Sequence, residues 1–263
     1  MAQQGAGAGE LEAAQVRSMF DGIAWVYDAL NSAMTAGLHH RWRERAADLA
    51  CVGPGDRVLD VATGTGDLAL ELARRVAVGG GEVVGSDFSE GMLARARVKA
   101  AGRAVRFEWG DALALPYADD FFDAATVGFG ARNFSDLARG LAEMARVVRP
   151  GGRVVVLEFT TPTRPPLSLF YGLWFDRVVP LLGALVGAVA AVLTRAKLLR
   201  GTGEGEVGIA AAYNYLPSSV KRWPAPEALA GQMRRAGIGE VRCLLTAGGI
   251  VAIHAGVVSP NGA

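Results

Sequence analysis

The chain has 263 residues, a formal net charge of +1 and 51% hydrophobic residues. That length fits one large domain, or one domain with an appendage, that buries its core without staples. The near-neutral charge gives no electrostatic case for nucleic acid, and Cys51 and Cys243, with no paired spacing, argue against a disulfide scaffold and for a reducing, cytoplasmic compartment. "MAQQGAGAGE" has neither a basic nor an apolar leader region, so residues 1–10 are expected as a disordered tail rather than a signal peptide. Residues 11–50 carry a helical pattern, with Met19, Ile23, Val26, Tyr27 and Leu30 at three- and four-residue spacings. The turn formers of "NSAMTAGLHH" predict a break, with a second helix from near His40 to about Ala50.

Strands and helices then alternate. Strands are predicted at 57–62, 81–87, 104–111, 121–130 and 153–159. Between them lie the amphipathic "DLALELARRVA", a helix opened by Ser89 as N-cap, and "SDLARGLAEMARVV". "APEALAGQMRRAG" reads as a helix with Pro226 in its first turn and Gly237 past its end. "EVRCLLTAGGIVAIHAG" reads as two antiparallel strands joined at "AGG". The whole predicts an α/β fold: a doubly wound, Rossmann-like, mostly parallel sheet of about seven strands ending in an antiparallel hairpin. Residues 51–161 and 223–258 would form this domain, and residues 11–50 a helical cap.

Residues 162–222 break the alternation as an apolar, aromatic insertion. Its uncharged run Val178–Leu193 is sixteen residues long and contains Pro180. A membrane span needs roughly twenty, so a buried or interfacial helix is expected.

The stretch "LDVATGTGDLA" at 59–69 holds Gly64-x-Gly66-x-x-Ala69, with Asp87 ending the second strand. In an open α/β sheet the ligand lies at the carboxyl ends of the strands, and these glycines let the turn approach it. The pattern alone fits a dinucleotide. However, Asp60 and Asp67 flank the turn, and a carboxylate there competes with a phosphate for the same amides and dipole. Two acids suit a ligand with a positive end, such as S-adenosylmethionine (SAM). Asp87 suits ribose hydroxyls in either ligand. After the third strand, Asp111 suits an adenine amino group and the backbone of Ala112 a ring nitrogen. With Asp60, Gly64 and Gly66, this set resembles a class I SAM-dependent methyltransferase.

Three further stretches narrow the resemblance: "YDALNSAMTAGLHHRW" at 27–42, "GFGARN" at 128–133 and "VVRPGGRVVVLEFTTP" at 147–162. With the glycine turn they resemble the ubiquinone/menaquinone biosynthesis C-methyltransferase family, from about Val16 to Gly256. The resemblance implies methylation of a ring carbon on a prenylated hydroquinone, with Thr65, Asp87, Asp111 and Ala112 contacting SAM. Gly128 departs from members that carry Ser there, and about 188–208 is longer than usual.

The chemistry adds requirements of its own. A ring carbon becomes a good nucleophile when the neighbouring phenol ionises, so the site must hold a phenolate and take up a ring proton. No metal is needed, because the sulfonium is already an activated electrophile. His39 and His40 have no carboxylate or cysteine at ligand spacing. Arg132, just past the fourth strand, is the expected phenolate partner, and Asn133 would hold the second ring oxygen. Tyr27 and His39 would line the pocket from the cap. A prenyl tail must be drawn from a bilayer, and Phe170, Tyr171, Trp174 and Phe175 followed by Arg195, Lys197 and Arg200 suit a peripheral membrane surface on its inner face. The same segment also suits a core cap or a homodimer contact. Three other readings remain open at this stage: another lipid or phenolic acceptor, an NAD-dependent oxidoreductase, and a scaffold without turnover.

Overall fold

The computed structural model describes residues 13–25, 27–162 and 218–260, with Pro165, Ser168, Tyr171, Arg177, Leu181 and Tyr215 as single positions. Its centre is a seven-stranded sheet in the order β3-β2-β1-β4-β5-β7-β6. The strands are β1 (Arg57–Val61), β2 (Glu82–Asp87), β3 (Val105–Trp109), β4 (Phe122–Gly128), β5 (Val148–Phe159), β6 (Ile238–Thr246) and β7 (Val251–Val258). The first five pair in parallel, and β7 runs antiparallel to both β5 and β6. The expected hairpin therefore exists, but its second strand wedges between β5 and the edge.

Strand alternation sends side chains to two cores. Val58, Val83, Ala124, Val155 and Leu157 pack with α3 (Leu38–Leu49), α4 (Asp67–Val76) and α5 (Glu90–Lys99). Leu59, Val84, Ala125, Val127, Val154 and Val156 pack with α6 (Leu137–Val147) and α7 (Pro226–Arg235). Both faces are covered, which is why these strands read as nearly unbroken apolar runs. Each fully buried Leu, Met or Phe of these cores, such as Leu72, Met144 and Phe122, contributes about 1.5–3 kcal/mol.

The cap differs from expectation. It has three helices: α1 (Ala13–Ile23), α2 (Tyr27–Thr35) and α3. "NSAMT" belongs to α2, and the break falls at Ala36 and Gly37, both with positive φ. The polar residues that suggested a turn bond within the helical layer instead. Thr35 Oγ1 donates to the carbonyl of Asn31 at 2.7 Å, and Ser32 Oγ meets His39. Val26 lies outside the described residues. The fifth strand also starts earlier than predicted, because "RPGG" makes a bulged stretch where the register jumps from Phe122 opposite Val148 to Ala124 opposite Arg153.

Ser89 caps α5 as predicted. Its hydroxyl accepts from the amide of Met92 at 3.2 Å and donates to Asp21 on α1, so one side chain joins cap to sheet domain. Ser89→Ala should cost about 1–2 kcal/mol of stability, as for other lost N-caps. Urea unfolding that shows no loss would contradict this dual role.

Of the 162–222 insertion, only Tyr171, Tyr215 and the stretch from Ser218 have described side-chain surroundings that matter here. Tyr171 is 5% exposed and packs with Val220, Phe159 and Ile250. That corrects its assignment to an interfacial surface. Phe170, Trp174, Phe175, Arg195, Lys197 and Arg200 lie outside the described residues. Among the described residues no helix is long and apolar enough to cross a membrane.

Candidate active site

At the carboxyl ends of β1, β2, β3 and β4 lies a cavity of about 300 Å³. It brings together Asp60, Gly64, Thr65, Asp87, Asp111 and Ala112, so six of the seven cofactor residues expected from sequence share one chamber. Gly66 does not line it. Its φ of 85° makes it the left-handed N-cap of α4, and a Cβ there would stand 2.6 Å from the ring of Phe107.

The turn is held open by strain and by one carboxylate. Ala62 and Phe129, which follow β1 and β4, have φ of 50° and 62°, a costly region for non-glycine residues. Gly130 lets these two ends meet, since a Cβ on it would sit 2.6 Å from that of Ala62. Asp87 accepts from the amides of Gly64 at 2.8 Å and Ser89 at 2.9 Å. Each of its oxygens keeps a lone pair for a ligand hydroxyl. Burial pushes its carboxyl up to about 6, helped by the charge of Asp21. Asp60, 1% exposed, accepts from the hydroxyls of Thr63 and Thr126, and burial raises it to about 6 as well.

The loop after β3 carries Asp111 and is clamped from α6. Arg146 donates to the carbonyls of Leu115 at 2.9 Å and Tyr117 at 2.8 Å, and Arg139 to that of Leu113 at 2.6 Å. Phe88 and Trp109 add aromatic walls to the chamber, with Trp109 Nε1 bonded to the Phe88 carbonyl. Both were missed in the sequence, although Phe88 adjoins Asp87 and Trp109 lies two residues before Asp111.

Asp67 corrects an expectation. It lines the chamber, but as a paired and not a free charge. Lys99 binds it at 2.7 Å and Arg43 lies 3.7 Å away. Burial opposes its ionisation, yet these two cations hold its carboxyl below the usual range. Lys99 also pairs with Asp28 of α2 at 2.6 Å and donates to Thr65 Oγ1 at 2.9 Å, while Thr65 donates to Asp28 at 2.6 Å. The hydroxyl of Thr65 is thus engaged, and the cap is tied to the glycine turn.

A second, smaller cavity of about 70 Å³ adjoins the first. Phe20, Tyr27, Arg43 and Phe129 line both. His39, Arg132 and Tyr215 line only the second, and Asn133 only the first. The four catalytic candidates therefore line one or both of these adjoining cavities, three of them with a qualification. His39 is 2% exposed. Arg43 donates to its Nδ1, which places the ring proton on Nε2 toward Ser32. Burial first, and Arg43 next, push its pKa down to about 4, so it is neutral and its lone pair is occupied. Arg132 is not a free guanidinium. Its Nη1 bonds Glu158 at 2.6 Å and the carbonyl of Phe129 at 2.6 Å, and Glu158 is 1% exposed. Asn133 Oδ1 is buried with no hydrogen-bond partner among the described residues.

The sequence profile of the ubiE/COQ5 methyltransferase family matches residues 8–192 and 206–258. The chain belongs to that family. It is a methyltransferase, and the oxidoreductase and scaffold readings fall away. The chain is 48% identical over 240 residues to a demethylmenaquinone methyltransferase of Thermus thermophilus, covering 90% of this chain and 99% of the relative. It is 39% identical over 246 residues to the ubiquinone/menaquinone biosynthesis C-methyltransferase UbiE of Geobacter sulfurreducens, covering 92% and 88%. A solved SAM-dependent methyltransferase of Aquifex aeolicus shares the fold, with a TM-score of 0.54 at 17% identity over 82% of this chain and 89% of that one. The unmatched residues 193–205 fall inside the stretch expected to be longer than usual. At Gly128, a Cβ would stand 3.1 Å from Leu68 Cδ2, so a serine there needs that leucine to move.

Proposed function

We propose that this methyltransferase transfers the methyl group of SAM to a ring carbon of a prenylated hydroquinone, with demethylmenaquinol as acceptor. The observation that carries this is the junction of the two cavities. A chamber lined by strand-end acids opens on a small pocket lined by Phe20, Phe129, Tyr27, Arg43 and Arg132. The naphthoquinol is favoured over a benzoquinol by the identity to the Thermus relative.

The chamber fits SAM. Asp87 has lone pairs for the ribose hydroxyls, Phe88 and Trp109 offer faces for the adenine, and Asp111 and Ala112 lie at its edge. Asn133 Oδ1 lacks a donor among the described residues. SAM supplies a methyl group already activated by its sulfonium. The protein's tasks are placement and electrostatics. Asn133 and Arg132 place the two ring oxygens, Tyr27 and Phe129 hold the ring against the methyl carbon, and Tyr27 and His39 close the pocket from the cap. With SAM held there, the phenolate's ring carbon would take its methyl group in exchange for the sulfonium's S–C bond, and the ring proton would leave to water, restoring aromaticity. The tail of such an acceptor resides in a bilayer, so the protein would work in the cytoplasm at the membrane's inner face.

The test supplies SAM labelled in its methyl group with reduced demethylmenaquinone and locates the label. Label on a ring carbon is expected. Label on oxygen, or none with any quinol, overturns the acceptor assignment. Thermal stabilisation by S-adenosylhomocysteine and not by NAD checks the cofactor separately.

A further inference from the structure

Arg43 is the one basic residue, among the described residues, that lines both cavities. It lies on α3, far in sequence from every strand-end motif, and its side chain is 8% exposed. Its Nη1 donates to Nδ1 and to the carbonyl of His39. Its guanidinium rests over the ring of Phe129, 5.5 Å from the centroid. Its nearest acid, Asp67, is 3.7 Å away, beyond hydrogen-bond distance, and is bound more closely by Lys99. Nη2 and Nε have no hydrogen-bond partner among the described residues. Arg132 contrasts with it. Its Nη1 is bonded at 2.6 Å to a carboxylate that is itself buried and offsets its charge, while its Nε is buried with no partner among the described residues.

We propose that Arg43 is a further catalytic residue, supplying the cationic contact that holds the acceptor as its phenolate, while Arg132 positions the ring. His39 acts through Arg43, since its neutral Nδ1 fixes one edge of the guanidinium and leaves the other edge toward the junction. The proposal rests on the quinol acceptor and deepens it. It gives a role to a buried cation that lines both cavities and shares the chamber with the acids Asp60, Asp67 and Asp87.

The test reads ionisation of a bound phenol without turnover. 1-Naphthol is titrated by absorbance in the complex of the full chain with S-adenosylhomocysteine. Wild type is expected to lower the naphthol's ionisation midpoint by about one unit or more, a tenfold preference for the phenolate. Arg43→Gln should return it to the solution value, and Arg132→Gln should keep it. A shift that survives in Arg43→Gln, that vanishes in Arg132→Gln, or that is absent from wild type overturns the proposal. S-adenosylhomocysteine affinity, measured by calorimetry, shows whether each variant keeps its chamber. Should Arg43→Gln not fold, Arg43→Lys keeps the charge and is expected to keep most of the shift; a folded lysine variant without it overturns the proposal. A wild type that methylates demethylmenaquinol while its shift resides in Arg132 sinks only Arg43's role. A wild type that methylates no quinol sinks the acceptor assignment instead.

Discussion

Arg132→Ala should lower turnover and thermal stability together, and a second substitution should separate the two. The single variant leaves Glu158, 1% exposed, without its cation. Breaking a buried pair from one side costs about 3–5 kcal/mol, roughly a 10 °C fall in melting temperature for a domain of this size. Turnover should fall about 10²-fold, the scale of a ring misplaced by about 1 Å against the methyl carbon, with little change in cofactor affinity. Arg132→Met with Glu158→Gln removes both charges and keeps an acceptor for the Phe159 amide, which Glu158 holds at 2.8 Å. That double variant should regain most of the lost melting temperature and none of the turnover. Recovery of turnover with stability would show that Arg132 serves the fold alone.

The strand-end acids should make the cofactor-free protein less stable as pH rises. Burial raises Asp60 and Asp87 to about 6 in the folded protein, against an ordinary value of 3.8. Between those values the folded state holds more protons than the unfolded one, so stability falls from about pH 4 to about pH 6 and the loss is complete above that. Each acid accounts for at most roughly 3 kcal/mol at neutral pH. His39 works the other way. Its folded value of about 4 lies below 6.5, so its contribution to stability grows as pH rises across that window. The informative comparison is therefore with Asp60→Asn, whose amide can still bond Thr63 and Thr126. The variant should be the more stable protein at pH 7 and show a flatter denaturation profile between pH 4 and 6. The affinity of wild type for cationic SAM should rise through pH 6, and that of Asp60→Asn should not. An unchanged profile would mean that Asp60 is solvated or ionised at lower pH than its burial implies.

Much of this site was legible because strand periodicity is local. Once β1, β2 and β3 are placed, Asp60, Asp87 and Asp111 must sit at one end of the sheet, and the glycine turn must lie among them. Ser89, Pro226 and Gly237 marked helix ends through chemistry that acts over one turn. Side-chain partnership over long separations was not legible. Glu158 lies 26 residues from Arg132 and looked like one more position in a buried strand. Arg43 stands one turn after His39, but nothing in the sequence shows that α3 turns it toward the β1 end. Asp67 looked available to a ligand because Lys99, 32 residues on, gave no sign of reaching it. In α2, Asn31, Ser32 and Thr35 were taken for a turn because their partners lie within the helical layer.

The anchors of the cap also set an order of assembly. Asp21 bonds Ser89 and Gly91, 68 and 70 residues away, and Asp28 bonds Thr65, 37 residues away. All of these partners come later in the chain. In a nascent polypeptide α1 and α2 therefore emerge well before the surface that holds them exists. The α1–α2 segment, which walls the methyl-transfer chamber, must wait for β1 through α5, so the apolar faces carrying Met19 and Ile23 travel unprotected during synthesis. The cap is thus made before the sheet yet acquires these contacts after it, and the chamber closes only once the sheet beneath it is built.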